Sequence, residues 1–269
     1  YGYVDNLRLE KTMDYNGAKT MNYRVLGGSV ALNSGIFTLA YRDELYDLGF
    51  RSIETDQRGV FRTTDGNGNA TELTNMGSFE TISLLVVGTG SDSLNSRSGF
   101  DFVNNLPLWE SPALTLREAL YLADDGTSIV FKSGWQVNGT KSANGTVVTN
   151  ELNSSGNLVI TLQGALTVNR DVTIDGSFLP AGEAGKVVPN TVSIQMAGNV
   201  ADRIFYIKND EANRVETVAL YNLQLSGGRA NGVGTAAASS GGAIFAVANL
   251  TLGNVSISSS QAGNGGYGG

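Results

Sequence analysis

Val218-Ala-Leu-Tyr-Asn222-Leu-Gln-Leu225 is followed, 32 residues on, by Leu250-Thr-Leu-Gly-Asn254-Val-Ser-Ile257. In each phrase apolar residues alternate with other residues, a single Asn interrupts, and the alternation resumes. A period of two is the signature of a strand with one face buried. An Asn between two such runs marks a tight turn, because its short amide tolerates left-handed backbone. A strand-turn-strand phrase recurring at a spacing of a few tens of residues indicates stacked coils, each unable to bury its apolar face alone. Stacking at about 4.8 Å would bury one continuous core. It would also set Asn222 over Asn254 at the same turn of successive coils, where stacked amides can hydrogen-bond for about 1 kcal/mol each.

Outward from this pair the same alternation appears at Val172 and Ile174 and at Val192 and Ile194. Ile204-Phe-Tyr-Ile207 is set against Ile244-Phe-Ala-Val247, with the extra spacing assigned to the polar insert around Asn209 to Glu216. Gly227-Gly228 and Gly241-Gly242 read as corners. Ahead of the coils, Thr115-Leu-Arg-Glu118 is a capping box, and Leu116, Ala119, Leu120 and Ala123 share one helical face. The reading is a helix over 115–123, stopped by Asp124-Asp125-Gly126, that covers the apolar end and open backbone edge of the first coil. The expected fold is all-β: a right-handed parallel β-helix (solenoid) with a short N-terminal capping helix, preceded by an irregular β-rich segment. The expected divisions are a β-rich module end at 1–80, a connector and first strand at 81–113, and the capping helix with β-helix coils at 114–269.

Composition narrows the function. The chain of 269 residues contains no Cys and no His, which removes disulfides, thiolate nucleophiles, imidazole bases and ordinary zinc sites. The net charge of −7 opposes binding to phosphate backbones and to anionic membrane surfaces. No apolar run is long enough to span a bilayer. The segment 217–269 carries one charged residue, Arg229, so no pair of carboxylates for acid–base work can be built there. No catalytic residue, metal ligand or cofactor is expected. Asp56 and Arg58 read as a structural ion pair holding a turn. Asp65-Gly-Asn-Gly-Asn-Ala-Thr-Glu72 reads as a hairpin turn, since the twelfth position of a calcium loop would fall on Met76. Tyr1, Tyr3, Trp109 and Trp135 are assigned to packing within or between modules.

Leu114-Thr-Leu-Arg-Glu-Ala-Leu120, Asp125-Gly-Thr-Ser-Ile-Val-Phe131 and Asp171-Val-Thr-Ile-Asp-Gly176 closely resemble the opening of bacterial CSLREA-type, or choice-of-anchor, β-helix modules. These are relatives of the pectate-lyase-like superfamily. The Cys that often begins the motif is replaced here by Ala113 or Leu114. Thr55-Asp56-Gln57-Arg58-Gly59, Arg62 and Gly77-Ser-Phe-Glu80 resemble the close of such a module, with Asn33 and Asn75 standing where an Asp is usual. The resemblance implies the tail of one module followed by the head of the next, in a segment of a longer protein. It further implies a structural or adhesive role on the bacterial cell surface or outside the cell. Expected partners are other copies or modules of itself, joined head to tail, together with surface glycans. Neither nucleic acid nor membrane insertion is expected. The competing reading is a carbohydrate-active β-helix protein, lyase-like or hydrolase-like, whose active coils lie outside this segment.

Overall fold

The computed structural model describes residues 8–9, 23–26, 29–32, 56, 81–94, 100–101, 106–107, 111–132, 134–136, 138–139, 147, 151–178, 190–208, 215–230 and 240–263. Among these the chain is strand-rich, with fourteen strands and one short helix. Three sheets are parallel throughout. The first contains β1 (Leu84–Val87), β4 (Thr127–Phe131), β7 (Val172–Phe178), β10 (Thr217–Tyr221) and β13 (Asn249–Gly253), hydrogen-bonded in that order. The second runs β5 (Leu158–Leu162), β8 (Val192–Met196), β11 (Leu223–Ser226), β14 (Ser256–Ser258). The third runs β6 (Leu166–Val168), β9 (Phe205–Ile207), β12 (Ile244–Ala246). From β4 onward the strands fall in the first, second and third sheet in strict rotation. A separate antiparallel pair joins β2 (Phe100–Asp101) to β3 (Leu106–Pro107).

Register explains the burial. Leu85, Ile129, Ile174, Leu220 and Leu252 form one column across the first sheet. Ile160, Ile194, Leu225 and Ile257 form another across the second. Except in the last strands, these side chains are fully or almost fully buried in a single apolar cluster. Each such side chain stabilises the fold by roughly 1.5–3 kcal/mol relative to exposure. The alternation in sequence is this inward-outward pleat. The offset of 32 residues is the register itself, since Val218 faces Leu250 and Leu225 faces Ile257. Earlier circuits are longer: Leu84 faces Ser128, 44 residues on, and Val172 faces Val218, 46 residues on.

The third sheet departs from the sequence alignment by one position. Ile244 pairs with Phe205 and Phe245 with Tyr206, rather than Ile244 with Ile204. The shift keeps Ile244 over the buried Phe205 and turns Phe245 outward, where its ring meets Tyr206 at 5.4 Å between centroids. A one-residue slip would have exchanged the two faces. The guanidinium of Arg203 lies over both rings, at 5.4 and 5.2 Å.

Helix α1 (Leu116–Leu122) lies between β1 and β4 in the chain, so the parallel stack begins one strand before the helix. Thr115 is the N-cap. Its hydroxyl accepts from Glu118 N at 3.0 Å and donates to Ser93 O at 2.7 Å, while Glu118 accepts from Thr115 N at 2.9 Å. The helix packs against β1 and β6, the edge strands of two sheets. Arg117 donates to the carbonyls of Gly164 and Ala165, just ahead of β6, and forms a bidentate pair with Asp92. Asp92 in turn accepts from Gln163 N at 2.8 Å. These two side chains supply the donor and acceptor that a neighbouring strand would have given this edge. The other end of α1 is closed by the buried Arg24, which donates to the carbonyls of Tyr121 and Ala123 and lies 3.4 Å from Asp124. A cation there complements the negative end of the helix dipole.

Candidate functional site

The first and second sheets meet at a corner made by one residue, Asn222, between β10 and β11. Asn254 occupies the matching place after β13. Both have left-handed backbone, with φ of 55° and 53°. Among non-glycine residues Asn enters this region most readily. The side chains form a column. Asn254 Nδ2 donates to Asn222 Oδ1 at 2.8 Å, and Asn222 Nδ2 donates to Asp175 Oδ1 at 2.7 Å and to Ser177 Oγ at 2.9 Å. The register between β4 and β7 shifts in this stretch, from Ile129 opposite Ile174 to Phe131 opposite Phe178. Gly176 sits directly against the backbone carbonyl of Asn222, where any β-carbon would collide with it.

Burial alone would raise the pKa of Asp175. The hydrogen bonds from Asn222 and Ser177 outweigh it and hold the carboxyl below its ordinary 3.8. Beside the column lies a groove of about 360 Å³ whose walls include Asn190, Thr191, Gln224 and Ser256. Gln224 Oε1 accepts from Ser193 Oγ at 3.0 Å. The Thr191 hydroxyl is buried and has no hydrogen-bond partner among the described residues.

Several other described carboxylates join stretches of backbone. Asp125 accepts from Asp171 N, and Asp171 accepts from Thr217 N, each across 46 residues of chain. Asp202 accepts from Ala165 N and Arg203 N, and Glu151 accepts from Gln136 N and from Lys132. Asp124 accepts from Ile82 N at 2.8 Å. Among the described residues no three of His, Cys, Asp and Glu gather as a metal site. Nor is any helix there long and apolar enough to cross a membrane.

Of the residues singled out in sequence, Thr115 and Glu118 come together at the helix cap, and Asn222 and Asn254 at the corner. Asp56 is buried, while Arg58 lies outside the described residues, as do Asp65, Tyr1, Tyr3 and Trp109. Trp135 is fully buried and donates its Nε1–H to Lys132 O. The sequence reading passed over Gln224 and Ser256, and took Asp175 only as part of the Asp171–Gly176 motif. The 32-residue offset carried a signal for the first two, since it sets Gln224 and Ser256 on one outward column. Searches against family profiles, curated proteins and solved structures return no match.

Proposed function

We propose that this chain is a right-handed parallel β-helix that serves as a structural and adhesive element of a bacterial surface or extracellular fibre protein, without catalytic activity. One observation carries the reading: successive strands visit three parallel sheets in rotation, in register, around one apolar cluster. Right-handed winding follows the rule that parallel crossovers are right-handed in about 98% of cases. The engagement of Asp124, Asp125, Glu151, Asp171 and Asp202 in backbone hydrogen bonds supports a scaffold role for these acids. The likeness of 114–131 to the opening of CSLREA-type modules supports the surface assignment.

Such a scaffold grows by adding coils, and the edge formed by β12, β13 and β14 is suited to receive one. Leu252 and Ile257 are 45% and 48% exposed, whereas their register partners Leu220 and Leu225 are 0% and 1% exposed. Open strand edges pair readily with further strands. The association joins the β12–β14 edge of one copy to a further coil, since α1 covers the opposite edge at β1 and β6. Sedimentation velocity over a range of concentrations tests it. The unmodified chain associates as concentration rises, and Leu252→Lys with Ile257→Lys abolishes association while circular dichroism is unchanged. A chain that stays monomeric throughout, or association indifferent to the lysines, overturns this mode of assembly. Depolymerisation of a polysaccharide by the purified chain would overturn the non-enzymatic reading.

A further inference from the structure

We propose that the groove along the Asp175–Asn222–Asn254 column binds a neutral, hydroxyl-rich glycan, contacted by Gln224, Asn254 and Ser256. The groove's volume of about 360 Å³ is enough for part of an oligosaccharide. Its polar walls are amides and hydroxyls, several with bonding capacity unused among the described residues. Gln224 spends its oxygen on Ser193, which leaves both Nε2 hydrogens for a ligand. Asn254 spends its Nδ2 on Asn222, which leaves its Oδ1 as an acceptor at the end of the column. A ligand dense in paired donors and acceptors answers these groups, whereas an apolar one would strand them.

Charge sets the class of glycan. Asp175, beside the groove, is kept ionised by Asn222 and Ser177, and the chain's net charge is −7. Uronates and sulfated sugars are therefore repelled, and no Lys or Arg stands among the described residues that line the groove. Register sets the length. Ser193, Gln224 and Ser256 stand directly beside one another on β8, β11 and β14, one hydrogen-bonding side chain per rung at a spacing of about 4.8 Å. A polymer laid across β8, β11 and β14 meets a hydrogen-bonding group at each of these three rungs, so an oligosaccharide gains over a monosaccharide.

Isothermal titration of the full chain with a panel of neutral hexasaccharides and with hexagalacturonate tests this. Gln224 and Ser256 are exposed, so Gln224→Ala/Ser256→Ala keeps the fold, which a thermal melt verifies. At least one neutral hexasaccharide is expected to bind, about tenfold more weakly to this double variant, and unchanged in Thr167→Ala on the third sheet. Hexagalacturonate is expected to bind more weakly than the neutral ligand. No binding of any neutral hexasaccharide at millimolar concentration, affinity unaltered in the double variant, or tighter binding of hexagalacturonate each overturns the proposal. End-to-end association is read separately by sedimentation, so the two ideas fail independently.

Discussion

At φ 55°, Asn222 sits where a β-carbon crowds the following carbonyl, at a cost of about 1–2 kcal/mol for most residues. Its amide also holds Asp175, Ser177 and Asn254. Substitutions separate the two effects. Asn222→Gly relieves the backbone and loses only the column, whereas Asn222→Ala loses the column and keeps the strain. The alanine variant is expected to be less stable than the glycine variant by roughly 1 kcal/mol in urea unfolding. Gly176→Ala drives a methyl group into the Asn222 carbonyl and is expected to cost about 1–3 kcal/mol. The column also carries a pH dependence. A carboxyl whose native pKa lies below its unfolded value contributes stability that is fully present above the unfolded value and is lost as pH falls through the native one. For Asp175 this loss sets in below about pH 4, and acid titration of Asn222→Ala, monitored by circular dichroism, should show a shallower decline there.

Among the described elements, α1 is the one that is not a strand, and its hydrogen bonds show why it fits beside an open edge. Thr115→Ala removes an N-cap and a bond to Ser93 O, for an expected loss of about 0.5–2 kcal/mol. Arg117→Lys keeps the charge but loses the fork that holds Asp92, Gly164 and Ala165 at once, so it should destabilise nearly as much as Arg117→Ala. Denaturant midpoints of the three variants check both expectations. The capping box was legible because its two partners lie three residues apart. The 32-residue phrase was legible because nothing interrupts it. β1 was placed only loosely, within 81–113, because Leu84-Leu-Val-Val87 is a short apolar run without alternation and its partner follows 44 residues later. The third sheet slipped by one because Phe205-Tyr206 and Ile244-Phe245 offer adjacent large side chains, and pattern alone does not say which of two neighbours faces inward. The groove was hidden for another reason: Thr191, Gln224 and Ser256 become neighbours only through the register of the second sheet.

Across the whole molecule, protection is graded along the stack. Among the described strands, β7, β8 and β10 are flanked on both sides, while β13 and β14 have one neighbour each and exposed apolar side chains. Hydrogen exchange should therefore be slowest at Ile174, Ile194 and Leu220 and fastest across 249–258, because opening frees a terminal strand at the cost of a single interface. Equal exchange throughout would mean that the stack opens as one unit. The ladders join strand to strand, so their hydrogen bonds lie along the direction in which coils accumulate. A pull along that direction loads one ladder at a time and peels the molecule like thread from a spool, with turns of unequal circumference along the first sheet. The 32-residue circuit from Val218 to Leu250 pays out roughly 110 Å, and the 46-residue circuit from Val172 to Val218 roughly 160 Å. In a single-molecule force trace the unequal turns become a bar code, short step before long, from which the direction of peeling can be read.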